Sequence, residues 1–92
     1  MYTVITSQVI SIGITANKLP PTPLEGRKYV LIQNLGSPII YIGGSLITAD
    51  TAGTGGLQLT TRSTWRETYS DNVDIYGIVA TGSTQVLIEE GK

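Results

Sequence analysis

Arg27-Lys28-Tyr29-Val30-Leu31-Ile32-Gln33-Asn34, then Leu35-Gly36-Ser37, then Pro38-Ile39-Ile40-Tyr41-Ile42, is the stretch that decides the fold class. Both apolar runs are dominated by β-branched and aromatic side chains. These lose rotamer freedom in a helix and pack well on a pleated surface. The glycine-centred segment between the runs is a turn signal. Pro38 stands at the first position of the second run, where its missing N–H costs no ladder bond. The two runs therefore read as paired strands of a β-hairpin.

Working towards the N-terminus, residues 8–15 alternate, with Ile10, Ile12 and Ile14 on one face and Ser11 and Gly13 on the other. Residues 2–5 read as a short first strand. Residues 16–26 (ANKLPPTPLEG) are too rich in proline for a central strand and read as an ordered connection pinned by Leu19 and Leu24. Towards the C-terminus, residues 48–56 (TADTAGTGG) form a small, polar loop. Its glycines and alanines anchor little, so it is expected to be mobile in the free protein and ordered by contact. Strands follow at 57–60, 63–69, 73–80 and 84–89, with turns at Asp71-Asn72 and Thr81-Gly82-Ser83. No stretch carries a 3.6-residue apolar period. Eleven glycines and four prolines break the chain at short intervals. The expected architecture is all-β: a single-domain β-sandwich over residues 1–92, of about eight strands and jelly-roll-like.

At 92 residues the chain suffices for one domain. A domain of this size buries only about 60–65% of its unfolded surface. Cysteine and histidine are both absent, so neither a disulfide nor a Cys/His zinc site adds stability. Charged residues make up 14%, against a usual share of about 25%. A surface so poor in charge suits a protein covered in part by others. The net charge of −1 supplies no electrostatic drive towards nucleic acid. No apolar run reaches the roughly 20 residues that a membrane span needs, and the first residues do not have the pattern of a signal peptide.

Alternation in the central strands is apolar on both faces. Val30 and Ile32 oppose Tyr29 and Leu31; Ile40 and Ile42 oppose Ile39 and Tyr41; Val73, Ile75 and Val79 oppose Tyr76 and Ile78. A sandwich this small has one interior, so the second set is covered by loops or by another chain. Tyr29, Leu31, Tyr41, Tyr76 and Ile78 are the candidate interface, because tyrosine joins an apolar ring to a hydroxyl that tolerates water.

Catalytic groups are scarce. No histidine is present as a general base and no cysteine as a nucleophile. Ser45 follows two glycines but does not stand in a Gly-x-Ser-x-Gly elbow, and turn chemistry accounts for it. Asp71-Asn72-Val73-Asp74 offers oxygen ligands at short spacing but lacks the glycine and distal glutamate of a calcium loop, and reads as an Asx turn. No catalytic residue, metal or cofactor is expected. Alternation places Glu67 on the face of Trp65 and Tyr69. Outside, the three would make an aromatic strip with a central hydrogen-bond acceptor, suited to carbohydrate. Inside, Glu67 would need Arg62, Arg66 or Arg27 as a partner.

Pro23-Leu24-Glu25-Gly26-Arg27-Lys28-Tyr29-Val30-Leu31-Ile32-Gln33-Asn34, with Ile40-Tyr41-Ile42-Gly43 and then Thr48-Ala49 and Gly56-Leu57, resembles a pattern of small accessory virion proteins of tailed bacteriophages. The likeness covers about residues 19 to 60 and brings no catalytic residue with it. It implies a structural β-sandwich of the virion. The expected role is a capsid decoration, or cement, protein on the outer head surface, assembled in the host cytoplasm. Its partner would be the major capsid protein or another virion protein, and it would act as a homo-oligomer, a trimer for preference. The alternatives are a tail, neck or fibre-associated module and a carbohydrate-binding module. Arg27, Gln33 and Asn34 are expected to tie loops to backbone groups at the two ends of the buried strand.

Overall fold

The computed structural model describes residues 3–49 and 56–92. Among them are eight strands: β1 (Ile5–Ile12), β2 (Asn17–Lys18), β3 (Tyr29–Asn34), β4 (Ile40–Gly43), β5 (Leu57–Leu59), β6 (Thr64–Glu67), β7 (Tyr76–Ile78) and β8 (Thr84–Gly91). They form two four-stranded antiparallel sheets, ordered β1-β8-β3-β6 and β2-β7-β4-β5. The pairs β1–β8, β2–β7, β3–β6 and β4–β5 nest within one another, like a long folded hairpin rolled over a core. The expected all-β sandwich is what forms. Among the described residues no helix is long and apolar enough to cross a membrane.

The core follows from alternation. Val30 and Ile32 of β3, with Val86 and Ile88 of β8, face Ile40 and Ile42 of β4 and Leu59 of β5 across the sandwich. Ile12, Leu19, Ile75 and Val79 complete it from strand ends and connections. Burying each such side chain contributes about 1.5–3 kcal/mol before entropy is counted. Gly77 has no side chain because Leu19, Ile12 and Ile40 occupy that space: a Cβ there would sit 2.7 Å from the end of Leu19.

Several local expectations need correction. The runs at 27–34 and 38–42 are not a hairpin: β3 and β4 lie in different sheets. Asn34 makes the link an arch. Its Nδ2 donates to the carbonyls of Pro38 (2.7 Å) and Leu59 (3.0 Å), and its Oδ1 accepts from Gly36 N–H (3.0 Å) and the Thr84 hydroxyl (3.1 Å). The chain is thereby turned across the core instead of back along the same sheet. The segment expected to alternate over 8–15 is instead part of β1, which starts at Ile5 and stops at Ile12, so Ile14 is exposed. The connection at 16–26 carries the two-residue edge strand β2 and buries Leu19, as expected of its pin. The 73–80 run keeps only three residues in a strand, whereas β8 runs on to Gly91. Residues 50–55, the middle of the loop expected to be mobile, and residue 2, the start of the expected first strand, lie outside the described residues.

Candidate functional site

Arg27 and Glu90 organise one end of the sandwich. Glu90 lies on the core face of β8, one alternation step beyond Val86 and Ile88. Its carboxylate accepts from Arg27 Nη1 at 2.8 Å, with both side chains withdrawn from solvent. It also accepts from the Leu24 N–H at 3.2 and 3.1 Å. Arg27 spends its other donors on backbone: Nε on the Tyr69 carbonyl (3.1 Å) and Nη2 on the Val73 carbonyl (2.8 Å). The Asp71 carboxylate accepts from the Gly26 N–H at 2.9 Å. Residues 69–73, which carry no strand, are thus held at both ends by a planar five-donor fork.

Beside β6 and next to that clamp lies a groove of ≈ 420 Å³, lined by Ile42, Leu57, Trp65 and Ile75, which face the core, and by Tyr69, Val73 and Asp74 of the connection that Arg27 holds. Trp65 enters it because its register partner is the core residue Ile32. Tyr69 lies beyond the end of β6, and its ring meets Trp65 edge to face, with centroids 5.8 Å apart at 66°. Such pairs contribute about 0.5–1.5 kcal/mol beyond the area they bury. Asp74 stands at the rim with its side chain half exposed, 3.3 Å from the Lys18 ammonium.

A second surface lies at the other edge of the same sheet. β1 borders only β8 among the described residues, and its eight residues (ITSQVISI) contain no charge and no proline. Their pairing with β8 runs unbroken from Ile5–Gly91 to Ile12–Thr84, with no bulge. On the outer face, Val9 stands opposite Leu87, and Leu31 is diagonal to Leu87. Ile5 is 62% and Val9 52% exposed. Tyr29 on the same face is covered within the chain: Arg66 lies over its ring, 4.5 Å from the centroid, and its hydroxyl donates to Glu89 at 3.0 Å.

The five candidate interface residues therefore do not share one surface. Tyr29 and Leu31 belong to the outer face of one sheet, and Tyr41, Tyr76 and Ile78 to the outer face of the other, where Tyr41 pairs with Ile78. Tyr29, Tyr41 and Ile78 are already buried, and Leu31 and Tyr76 are half-buried. Of the aromatic strip, Trp65 and Tyr69 come together as read, but Glu67 does not line the groove; Asp74 supplies its carboxylate. Of the three partners foreseen for a buried Glu67, Arg62, Arg66 and Arg27, the last is used by Glu90 instead. Gln33 donates to the Arg62 carbonyl at 3.2 Å, so all three motif residues, Arg27, Gln33 and Asn34, do tie loops to backbone. Among the described residues no cluster of three or more His, Cys, Asp or Glu is arranged to hold a metal.

No family model, curated protein or solved structure matches the chain.

Proposed function

We propose that this chain is a structural, non-enzymatic virion protein of a tailed phage, a decoration or cement module seated on the outer surface of the assembled head. The observation that carries this is β1. Folded proteins blunt exposed strand edges with charge, proline or bulges, because a bare row of N–H and C=O groups templates pairing with another chain. β1 has none of these devices over eight residues, and its exposed face carries Ile5 and Val9. An edge left bare beside an apolar strip is an edge built to be covered. The covering chain in this proposal is the major capsid protein, with three copies of the module around a local three-fold axis. The nested pairing of the strands is compatible with the jelly-roll-like arrangement read from the sequence, an architecture common among viral capsid domains, and this supports the role.

Val9→Asp tests the docking surface. Val9 is half exposed on an edge strand, so the change should lower the unfolding free energy by only about 1 kcal/mol and leave the fold intact. It places a charge where the contact would exclude water, and binding to heads in a co-sedimentation assay should be lost. Sedimentation of the free protein at micromolar concentration is the parallel measurement. A stable monomer that ignores heads, or a Val9→Asp protein that binds them as well as before, overturns the proposal.

A further inference from the structure

We propose that the groove beside β6 is a binding site for a neutral saccharide. Its volume, ≈ 420 Å³, lies within the range of small-molecule sites, about 300–1,000 Å³. Trp65 and Tyr69 give it an aromatic wall, which accepts the C–H face of a sugar ring. At the rim stands Asp74, its side chain 51% exposed, and Lys18, which does not itself line the groove, neutralises it from 3.3 Å. The carboxylate accepts hydrogen bonds from hydroxyl groups. The two charges cancel, so the rim attracts neither an anion nor a cation. A ligand with an apolar face, several hydroxyls and no net charge meets both halves of the site, and a pyranose ring has all three properties.

The wall is also preorganised. The backbone on either side of the groove's outer loop is held by Arg27 through the carbonyls of Tyr69 and Val73, so binding need not order that loop. The position is independent of the docking surface, because β6 and β1 are opposite edges of one sheet. A module docked through β1 leaves the groove free, and a head coated with such modules would present many weak sugar sites at once.

Trp65 is the only tryptophan, so its emission reports occupancy directly. The probes are maltotriose, cellotriose and chitotriose, titrated into the full chain to millimolar concentration. At least one should give a saturable change in emission. Tyr69→Ala removes the outer ring but keeps the carbonyl that Arg27 holds, and should weaken that sugar by about tenfold. Val9→Asp should leave sugar affinity unchanged while removing head binding, which separates this site from the proposed function. The inference is overturned by the absence of saturable change with all three sugars, by unaltered affinity in Tyr69→Ala, or by saturation with toluene and with no saccharide.

Discussion

Replacing Arg27 by methionine is expected to cost about 3–5 kcal/mol of unfolding free energy, because it strands the buried Glu90 carboxylate without its cation. A domain of this kind has roughly 5–15 kcal/mol in all, so the variant should lose a large share of its stability and unfold at a markedly lower urea concentration. Urea titration of the Trp65 emission gives the number. The companion variant Arg27→Met with Glu90→Leu removes both charges. It should be more stable than the single variant, which is the mark of a coupled pair. It should not recover fully, because the Tyr69 and Val73 carbonyls and the Leu24 N–H lose their partners. A loss of about 1 kcal/mol or less in the single variant, the size of a surface ion pair, would mean the clamp is open in solution.

Asn34→Leu is expected to cost about 3 kcal/mol or more. The side chain is fully buried and serves four groups: the Pro38 and Leu59 carbonyls, the Gly36 N–H and the Thr84 hydroxyl. Each buried polar group left without a partner costs about 1–3 kcal/mol, so two dry orphans out of four suffice. Leucine is similar in size, so lost packing contributes little and the deficit isolates the hydrogen bonds. Asn34→Asp makes the sharper comparison. It keeps the two acceptor contacts, loses both donor contacts and brings a charge to a site with no cation described beside it, so it should be at least as damaging as leucine. Equal stability of wild type and Asn34→Leu in urea would show that the arch between β3 and β4 does not depend on this residue.

The residues reveal the sandwich more readily than its wiring. Alternation at Tyr29 to Gln33 and at Val86 to Ile88 marks faces, because side-chain direction has a period of two whatever the partner strand. It does not say which strands pair. The run through Leu35-Gly36-Ser37 therefore suits a hairpin as well as an arch, and the choice is made by Asn34 reaching Leu59 and Thr84, 25 and 50 residues away. Glu90 was within reach of the same alternation: with Val86 and Ile88 inward, position 90 is inward too, and ending the strand at 89 hid it. The groove was legible only in part. Trp65 could be placed from its strand, but Tyr69 and Asp74 lie beyond β6 in a segment whose course is set by Arg27, 42 residues earlier. Long-range tethers of that kind leave no local pattern. The two-sided apolar strands were real in the sequence, yet the chain covers most of the second set itself, burying Tyr41 and Ile78 and capping Tyr29 with Arg66. Of that set Leu31 and Tyr76 stay half-buried, and the bare β1 edge adds Ile5 and Val9, which the five residues do not include.

If the chain is a cement protein it binds the assembled shell and not the loosened one. Each copy then stabilises the shell by RT ln(1 + [L]/Kd), about 2.7 kcal/mol at a free concentration one hundred times Kd. The most direct measurement is the temperature at which heads release DNA, compared among heads without the protein, heads with it and heads offered Val9→Asp. The expected result is normal assembly in all three, a higher release temperature only with the unaltered protein, and no gain from Val9→Asp. Heads that release DNA at the same temperature with and without the protein, while losing attachment to cells when it is missing, would contradict the cement role.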